Sequence, residues 1–423
     1  MDVYFRYSKK NSYSFAVLSP LLPKARFTNR PMDGIMIYSF TTQQAAEVFR
    51  EVENANTNSI FIAGGPHPSG APEETLRYFD YVVIGEGEET LPELVFVLLH
   101  GGKPGKVKGI AYKRPRDELE GELGSAPISE LEGEPGYELE GEPRSKLEGE
   151  LGYELEGELR DVFESKSGSE LTLTPARPHV NLDVYPCFDP KKLRAPIEIS
   201  RGCPWGCRYC QTPRLFGREL RHRSIEVILK NARYYNDLRF IASNAFAYGG
   251  NGIKPRFDKV EKLLSRLHTL PEKKIFFGTF PSEVRPEFVT SEAVELVRTY
   301  CANTSLSLGA QSGSERILKE IQRGHTVEDI ILAVECCLEY ELTPAVDFIF
   351  GFPTETVEDQ EKSLDLINWI CKKGGKVRAH YLTPLPGTPY ASVIPVEVSS
   401  GVRKKLGKLA LEGKLTGCWE KVK

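Results

Sequence analysis

Residues 195–211 read APIEISRGCPWGCRYCQ, an apolar and β-branched run that leads directly into three cysteines. The run predicts a strand over 195–200. The loop after it holds Cys203, Cys207 and Cys210 in a C-x3-C-x2-C spacing. On α/β barrels, chemistry takes place at the carboxyl ends of the strands. A strand that ends in this loop therefore predicts a functional site at the edge of such a barrel.

The chain downstream alternates between strand-like and helix-like segments. Five more apolar runs predict strands at 238–243, 273–280, 305–311, 345–352 and 377–384. Two of the helical segments between them open with Thr-x-x-Asp, which resembles the start of a capping box. Six strand–helix units in about 200 residues predict an α/β fold with a (βα)6 partial TIM-like barrel over 195–395. We interpret residues 396–423 as a C-terminal extension.

The first 105 residues predict a separate parallel α/β sheet. Apolar runs at 14–19, 34–40, 59–65 and 80–87 are the candidate strands, with helical stretches between them. Continuous apolar strands that alternate with helices are typical of a parallel sheet covered on both faces.

Residues 106–194 predict a linker that carries a low-complexity insert at 117–160. The tetrapeptide Leu-Glu-Gly-Glu begins at Leu119, Leu131, Leu139, Leu147 and Leu155. Such a composition buries little apolar surface, and its like charges repel. Strand-like segments at 107–114 and 170–178 flank it, so an insertion in a hairpin is expected. A docking surface for a basic partner is the functional alternative.

Bulk composition narrows the class of protein. The net charge of -4 gives no clear indication of nucleic-acid binding. Neither a membrane-length apolar run nor a signal-peptide pattern is evident, so we expect a soluble cytoplasmic protein without membrane contact. Nine cysteines, an odd number with three clustered, do not indicate a disulfide framework.

Three clustered cysteines favour an iron–sulfur cluster. Cysteine thiolates hold such clusters. Three thiolates can hold three irons of a [4Fe–4S] cube and leave the fourth iron open, as a reactive metal site requires. The alternatives are a zinc site with Cys187 or Cys418 as fourth ligand, three unrelated buried cysteines, or a redox dithiol.

The C-x3-C-x2-C spacing with Tyr209 before the last cysteine resembles the signature of the radical S-adenosylmethionine superfamily. The resemblance implies that the open iron binds S-adenosylmethionine and that reductive cleavage yields methionine and a 5′-deoxyadenosyl radical. It also implies an electron donor such as a ferredoxin or flavodoxin. In such enzymes the cofactor carries the radical chemistry, while the protein binds, orients and shields it.

Further segments resemble the branch of coproporphyrinogen oxidases and methylthiotransferases. The resemblance implies that Glu283 contacts the nucleoside, that Gln311 with Ser312 reaches the ribose, and that Arg323 pairs with the methionine carboxylate. Asp347, Ile349 and Gly351 match the adenine and ribose element. Each charged residue alone has a structural alternative: Glu283 and Arg323 as surface charges, and Asp347 as a capped structural acid.

One departure concerns the second barrel strand. The superfamily often has Gly-Gly-Glu there, holding the methionine amino group, whereas this chain has Gly249 and Gly250 in YGGNG without the glutamate. Backbone carbonyls can serve as acceptors instead.

The N-terminal half resembles the Rossmann-like domain of the cobalamin (B12)-binding subfamily, of an archaeal type. The resemblance places Ser39, Thr41, Gly64 and Gly65 at contacts to the corrin tail. The Asp-x-His-x-x-Gly motif, whose histidine binds cobalt, is missing from the loop after the expected first strand. A degenerate domain that binds no corrin is the alternative.

We therefore expect a radical enzyme acting on an unknown substrate, by cobalamin-dependent C-methylation, rearrangement or cyclisation. Methylthiotransferases are less favoured. Their N-terminal domain carries a second cysteine-bound cluster, whereas the first cysteine here is Cys187, and no nucleic-acid-binding domain is expected after Pro395. A zinc-stapled binding or scaffold protein is the alternative from another class.

Overall fold

The computed structural model describes residues 1–115 and 169–421 of the chain. The insert predicted at 117–160 lies outside the described residues. The described part forms two α/β units, which confirms the predicted fold class.

The N-terminal unit is built on one sheet of seven strands in the order β2-β1-β3-β4-β5-β6-β7. The strands are β1 Val3–Arg6, β2 Arg26–Thr28, β3 Gly34–Ser39, β4 Ser59–Gly64, β5 Tyr81–Val83, β6 Ile110–Pro115 and β7 Ser169–Leu173. The helices are α1 Ser12–Leu18, α2 Thr42–Glu53, α3 Pro66–Gly70, α4 Pro72–Thr75 and α5 Gly87–Leu99. β1 to β5 pair in parallel, and β6 and β7 add an antiparallel edge.

The order β2-β1-β3-β4-β5 reverses direction between β1 and β3. In open α/β sheets a ligand binds at such a switch point, outside the carboxyl ends of the strands. Here β3 ends at Ser39 and is followed by Phe40, β4 ends at Gly64 and is followed by Gly65, and Gly85 lies two residues beyond the end of β5.

One predicted strand is wrong. Residues 14–19 lie mostly in α1, and the first strand is β1, which sequence patterns missed. The run Phe15, Ala16, Val17 is buried along its whole length, and such a run does not distinguish a strand from a buried helix. Ala16 packs into the hydrophobic core of the second unit, so α1 lies between the two units.

The second unit is an open parallel barrel. Its strands are β8 Ile197–Glu198, β9 Ser200–Arg201, β10 Arg221–His222, β11 Asp237–Ile241, β12 Lys274–Phe276, β13 Ser305–Gln311, β14 Thr343–Phe350, β15 Lys376–Tyr381 and β16 Leu415–Cys418. The helices are α6 Thr212–Phe216, α7 Ile225–Ala232, α8 Phe257–His268, α9 Ser291–Tyr300, α10 Glu315–Glu320, α11 Val327–Glu339, α12 Val357–Lys372 and α13 Ser400–Leu411. Six short 3₁₀ turns complete the described elements, at Lys9–Asn11, Ser19–Leu21, Pro104–Lys106, Leu182–Val184, Ala245–Ala247 and Pro286–Phe288.

The parallel strands follow one another around the barrel. β8, β11 and β12 pair in sequence, as do β13, β14, β15 and β16, and a parallel bridge between Val284 and Leu308 joins the two sets. The six predicted strands correspond to β8, β11, β12, β13, β14 and β15. The small β9–β10 hairpin carries the chain into and out of the cysteine loop.

The segment after residue 395 adds a further element to this barrel. β16 pairs in parallel with β15, and α13 precedes it. The prediction treated 396–423 as an extension, because Leu415–Cys418 is too short and too polar to indicate a strand on its own. Pairing with β15, rather than the local sequence, makes this segment a strand.

The two faces of the barrel sheet differ sharply. Six side chains on β13, β14 and β15 pack toward the helices and are buried: Leu306, Leu308, Val346, Phe348, Val377 and Ala379. Because side chains alternate along a strand, the residues between them face the opposite side, which we call the lumen face. Gly309, Asp347, Arg378 and Thr416 lie in register across that face.

Helix starts follow the local sequence signals. Thr326 and Thr356 each cap a helix, and each donates to or accepts from the aspartate three residues on, in full capping boxes. No helix in the described ranges is long and apolar enough to cross a membrane.

A buried ion network centred on Arg201 joins the two units behind the cysteine loop. The Arg201 guanidinium donates to both carboxylate oxygens of Glu198, at 2.8 and 3.0 Å. Its third nitrogen, Nη1, lies 2.7 Å from Glu88 Oε1 and 3.3 Å from Glu86 Oε1, both at the start of α5. Arg201 is 7% exposed, so the network stands in a low dielectric where unpaired charge is costly.

Two further arginines complete the network. Arg221 donates to Glu86, and Arg223, which is fully buried, donates to Glu198 Oε2 at 3.1 Å. Burial alone would raise the pKa of Glu198, but the guanidinium groups of Arg201 and Arg223 outweigh it and lower that pKa. Three arginines therefore balance three glutamates at the junction of the two units.

We expect Arg201→Met to destabilise the protein by about 3–5 kcal/mol, because the buried glutamates lose their shared partner. The measurement is chemical denaturation followed by circular dichroism. Arg256→Met is the matched control, since Arg256 pairs with Asp258 on the surface. Equal denaturation midpoints for the two variants would contradict the role of the network.

Deletion of residues 117–160 is expected to leave the fold intact. β6 and β7 pair as far as Pro115 and Ser169, so the hairpin is closed on the near side of the insert. A shorter connection lowers the entropy cost of closure, by roughly 1–2 kcal/mol. Thermal melting of the full-length and shortened proteins tests this, and loss of soluble protein would show that the insert supports the fold.

Candidate functional site at the carboxyl edge of the barrel

The cysteine loop is tied down by its own backbone. The Cys203 N–H donates to the Gly217 carbonyl, and the Cys210 N–H donates to the Cys207 carbonyl, both at 3.1 Å. Gly202 has a φ of +97°, and a Cβ there would lie 2.0 Å from the Glu219 carbonyl oxygen. The loop therefore requires glycine at its entry.

Trp205 clamps the loop from the other side. Its indole N–H donates to the Gly252 carbonyl at 3.0 Å. The guanidinium of Arg285, itself 3% exposed, lies 3.8 Å from the ring centroid. Gly324 packs against the same ring, because a Cβ there would lie 2.2 Å from it. Segments that follow β12 and α10 thus hold the cysteine loop in place.

Three predicted residues converge on Gly309 in β13. A Cβ at Gly309 would lie 2.7 Å from Gln311 Nε2, 2.8 Å from Arg323 Nη2 and 3.3 Å from Glu283 Oε2. Arg323 also donates to the Gly309 carbonyl at 2.8 Å, and its Nη1 lies 3.9 Å from Cys207 Sγ. The cluster of Glu283, Gln311 and Arg323 therefore lies directly beside the cysteine loop.

The backbone at Gln311 is unusual. Its φ is +72°, and the pairing of β13 with β14 slips between Gly309 and Gln311. A non-glycine residue in the left-handed region is uncommon and is found at sites where the backbone re-aims a side chain. The slip turns the Gln311 amide toward Gly309.

Asp347 is engaged by a residue that the sequence analysis did not select. Arg378, its neighbour across β14 and β15, donates to both carboxylate oxygens at 2.5 and 2.6 Å. Arg378 Nη2 also lies 3.7 Å from Glu283 Oε1. Burial and the charge of Asp347 raise the pKa of Glu283 to about 8. The geometry matches the alternative of a structural acid for Asp347.

His380 is a second residue that the sequence analysis missed. It lies on the lumen face of β15, two residues beyond Arg378 and in register with Ile349 and Cys418. Burial and the nearby Arg378 charge lower the pKa of His380. Its signal in the sequence, a single histidine in VRAHYLTP, is visible only once the strand and its facing side are known.

The other predicted contact residues of this barrel edge have packing or hydrogen-bond partners of their own. Tyr209 packs its ring 5.8 Å from that of Phe352, and Ile349 is partly buried on the lumen face. Gly351 has a φ of +93° and donates its N–H to Glu355, whose pKa burial raises to about 7. Ser312 is fully buried and bonds Ser314 and Ser363.

The glycines of YGGNG lie well past the end of β11. The Gly250 carbonyl lies 2.7 Å from His222 Nε2, and the Gly249 N–H donates to His222 Nδ1 at 3.4 Å. The residues that directly follow β11 are instead Ala242, Ser243 and Asn244. Gly249 and Gly250 therefore lie eight and nine residues beyond the end of β11.

Asn244 is a buried polar residue that the sequence analysis missed. It is 4% exposed, and neither polar atom of its side-chain amide has a hydrogen-bond partner among the described residues. The next residue, Ala245, donates its N–H to the Glu283 carbonyl, and Ser243 Oγ donates to the Gly202 carbonyl. The chain neighbours of this unpartnered amide thus contact the backbone of Glu283 and of the cysteine loop.

The remaining cysteines do not join the loop. Cys187 is fully buried with its thiol toward the Glu198 carbonyl, and Cys418 lies on β16. Within residues 1–115 and 169–421, no three His, Cys, Asp or Glu side chains are grouped as ligands of one metal ion.

Gln211, the residue after the last clustered cysteine, ties three segments together. Its amide Nε2 donates to the Pro66 carbonyl at 3.0 Å and to the Pro386 carbonyl at 2.8 Å. Pro66 begins α3 in the N-terminal unit, and Pro386 belongs to the PLPGTP loop after β15. The cysteine loop thereby contacts both.

A cavity of about 380 Å³ lies between the two units, at the carboxyl ends of β3, β4 and β5. Ser39, Gly64 and Gly65 line it, together with residues of the cysteine-bearing strand such as Ser200. The Ser200 hydroxyl is buried and has no hydrogen-bond partner in the described part of the chain. Thr41 lies outside the cavity lining and caps α2.

Comparison with protein families identifies two domains. The model of the radical SAM superfamily matches residues 197–367, and the model of the B12 binding domain matches residues 24–95. The first coincides with the barrel from β8 into α12, and the second with most of the N-terminal parallel sheet.

Curated relatives resemble the chain over about half its length. It is 29% identical over 235 residues to the tRNA-2-methylthio-N(6)-dimethylallyladenosine synthase of a Sulfurihydrogenibium species, covering 54% of this chain and 52% of the relative. It is 30% identical over 236 residues to the Aquifex aeolicus protein of that name, covering 53% and 52%. The chain therefore spans about half the length of the curated relatives it matches.

Solved structures share the two-domain fold. The radical S-adenosylmethionine methyltransferase TsrM from Kitasatospora setae, with cobalamin and a [4Fe–4S] cluster bound, aligns with a TM-score of 0.63 at 15% identity, covering 95% of this chain and 80% of that one. The cobalamin-dependent radical enzyme OxsB aligns with a TM-score of 0.57 at 18% identity, covering 86% and 51%.

The radical SAM domain implies a [4Fe–4S] cluster and S-adenosylmethionine as cofactors, and the B12 binding domain adds cobalamin as a candidate. The chain thus contains a radical SAM domain over residues 197–367, preceded by a B12 binding domain over residues 24–95.

Proposed function

We propose that Cys203, Cys207 and Cys210 hold a [4Fe–4S] cluster and that Glu283, Gln311 and Arg323 hold S-adenosylmethionine at its open iron. The observation that carries this proposal is the convergence of those three side chains on Gly309, beside the cysteine loop. When bound, the two groups supply a 5′-deoxyadenosyl radical and methionine through one-electron cleavage of the sulfonium.

The donor set suits an iron–sulfur cluster. All three side chains are thiols on one loop, and thiolates are the usual ligands of such clusters. Cys207 is 5% exposed, while Cys203 and Cys210 are partly exposed. Burial raises the pKa of Cys203 and of Cys210, so we expect ligation to release protons at neutral pH.

The residues around Gly309 suit a zwitterionic nucleoside. Arg323 uses one nitrogen on the Gly309 carbonyl and keeps a buried Nε–H without a partner in the described ranges. A carboxylate can accept from such a guanidinium in a planar two-pronged geometry. We assign this carboxylate contact to Arg323 and the ribose hydroxyls to Gln311 and Glu283.

Asn244 takes the place of the missing glutamate in this proposal. Its buried amide carbonyl can accept from the methionine ammonium group, which would satisfy an otherwise unpartnered atom. Asp347 contributes indirectly, because its two oxygens orient Arg378 rather than a ligand.

We further propose that the cavity at the carboxyl ends of β3, β4 and β5 takes the tail of a corrin. Its lining is mostly apolar, with the hydroxyls of Ser14, Ser39 and Ser69 along it. At about 380 Å³ it is at the small end of ligand pockets, so it suits a base and sugar rather than a macrocycle. Residues 7–11 after β1 are Tyr, Ser, Lys, Lys and Asn, so no histidine reaches cobalt from that loop.

The net reaction that we favour is methyl transfer to an unactivated carbon of a small molecule, with rearrangement or cyclisation as the alternative. The support is the pairing of both domains, which TsrM and OxsB share at the level of fold. A one-electron donor such as a ferredoxin or flavodoxin would supply the electron. A zinc-binding scaffold would not require Glu283, Gln311 and Arg323 to converge beside the cysteine loop.

Cys207→Ala is expected to abolish the cluster and all cleavage of S-adenosylmethionine, because three thiolates are the full protein ligand set. Anaerobic reconstitution with iron and sulfide, electron paramagnetic resonance and measurement of 5′-deoxyadenosine check this. Cys336→Ala, on α11 away from the loop, is the matched control. Full cleavage by the Cys207 variant, or a colourless wild type that holds stoichiometric zinc, would refute the assignment.

Gly309→Ala is expected to lower the affinity for S-adenosylmethionine by at least about tenfold with little change in melting temperature. The added methyl meets the mobile ends of Gln311 and Arg323, which can move at small cost to stability but lose their alignment. Calorimetric titration and thermal melting measure the two effects separately. Gly407→Ala, with open space around its Cβ on α13, is the control. Unchanged affinity would contradict the placement of the cofactor.

A further inference from the structure

Two aromatic rings and two guanidinium groups meet near the end of β12. The Arg239 guanidinium lies 4.5 Å from the Phe276 ring centroid, and that of Arg378 lies 5.7 Å from the Phe280 ring centroid. Arg239 Nη1 also donates to Thr279 Oγ1 at 3.4 Å. We call Arg239, Phe276, Thr279, Phe280 and Arg378 the lumen patch.

The backbone places this patch inside the barrel. Leu238, Phe240 and Ile275 are buried against the helices with exposures of at most 1%. Alternation along β11 and β12 therefore turns Arg239 and Phe276, which are in register, to the lumen face. Arg378 reaches the patch from β15 on the same face.

The two arginines of the lumen patch differ in their charge balance. Both carboxylate oxygens of Asp347 neutralise Arg378, with Glu283 at 3.7 Å. Arg239 has no carboxylate within ion-pair distance among the described residues. Its side chain is exposed on the lumen face. A guanidinium without a carboxylate partner at a cofactor-binding face can pair with an anion.

Two other charges flank Arg239 on the lumen face. Lys274 on β12 also lacks an ion pair in the described part of the chain, whereas Asp237 on β11 lies in register with it. On β11 and β12 the lumen face therefore carries the two cations Arg239 and Lys274 against the one acid Asp237, a net positive charge. An anionic ligand is favoured over a cationic one there.

Phe280 adds an apolar platform. Phe280 is 66% exposed, which leaves a large apolar area beside the Arg378 guanidinium. Exposed aromatic faces gain by stacking a second ring upon them, beyond the area that they bury. A ligand with a ring and an acidic group can therefore use Phe280 and Arg239 together.

The lumen patch borders the proposed cofactor group. Glu283 follows Phe280 by three residues and contacts Arg378, and its Oε2 lies 3.3 Å from the Cβ position of Gly309. A molecule on the patch would thus lie next to the nucleoside. We infer that the lumen patch is the substrate site and that it takes a small aromatic carboxylic acid, with the ring on Phe280 and the carboxylate on Arg239. As a substrate assignment, the inference rests on the proposed function.

The test uses two probes of equal shape and different charge. Calorimetric titration of the full chain, loaded with its cluster, compares indole-3-acetate with the neutral indole-3-acetamide. We expect the acid to bind at least about tenfold tighter, a difference of about 1.4 kcal/mol. Arg239→Gln should remove that preference, and Phe280→Ala should weaken both probes. Arg266→Gln, an exposed arginine on α8, is the control and should change neither affinity.

Equal affinity for the two probes, an unchanged preference in the Arg239 variant, or no binding of either probe would overturn the inference. Formation of 5′-deoxyadenosine by the wild type is measured in the same preparation and reports on the proposed function alone. Cleavage without probe binding defeats the substrate assignment and leaves the proposed function standing. Probe binding without cleavage supports the binding site and defeats the proposed function.

Discussion

The ion network around Arg201 is the constraint on which the arrangement of this molecule depends. A guanidinium that is 7% exposed cannot remain unpaired, so Glu198 from the barrel and Glu86 and Glu88 from α5 must all stay close to it. Glu198 fixes the strand that leads into the cysteine loop. The other two fix the N-terminal unit against that strand, so the loop and the sheet edge share one anchor.

That anchor explains why the site is assembled from distant segments. The loop residues Cys203 and Cys207 follow Arg201 by two and six residues, while Arg323 approaches Cys207 from the turn after α10. Trp205, stacked against Arg285 and hydrogen-bonded to the Gly252 carbonyl, ties the loop to its surroundings. Buried protein contacts therefore help to orient the polar groups at the barrel mouth.

Much of this architecture could be predicted from local pattern, and the misses have physical reasons. The parallel barrel strands were recognisable because their apolar runs are long and bounded by turns. α1 was mistaken for a strand because its apolar residues face both units at once, which removes the helical period. β16 was missed because its identity comes from pairing with β15 rather than from its own residues.

The residues of the candidate site also divide into those that the sequence pattern identified and those that only the structure revealed. Motif spacing selected Glu283, Gln311 and Arg323, which converge, but it could not show that Asp347 is occupied by Arg378. Asn244 and His380 carry no motif, and their interest appears only when burial and the facing side of a strand are known. Ser312 shares a motif with Gln311 but lies beyond the end of β13, where its hydroxyl bonds Ser314 and Ser363.

The closed base of the β6–β7 hairpin has a consequence at the level of the gene. Pro115 and Ser169 pair at the outer edge of the N-terminal sheet, away from the barrel mouth. The repeats between them recur every eight residues over their last four starts, and each unit is a whole number of codons. Gain or loss of a unit by replication slippage keeps the reading frame and lengthens a connection whose closure cost grows only slowly. Selection on the catalytic barrel therefore constrains the number of repeats only weakly.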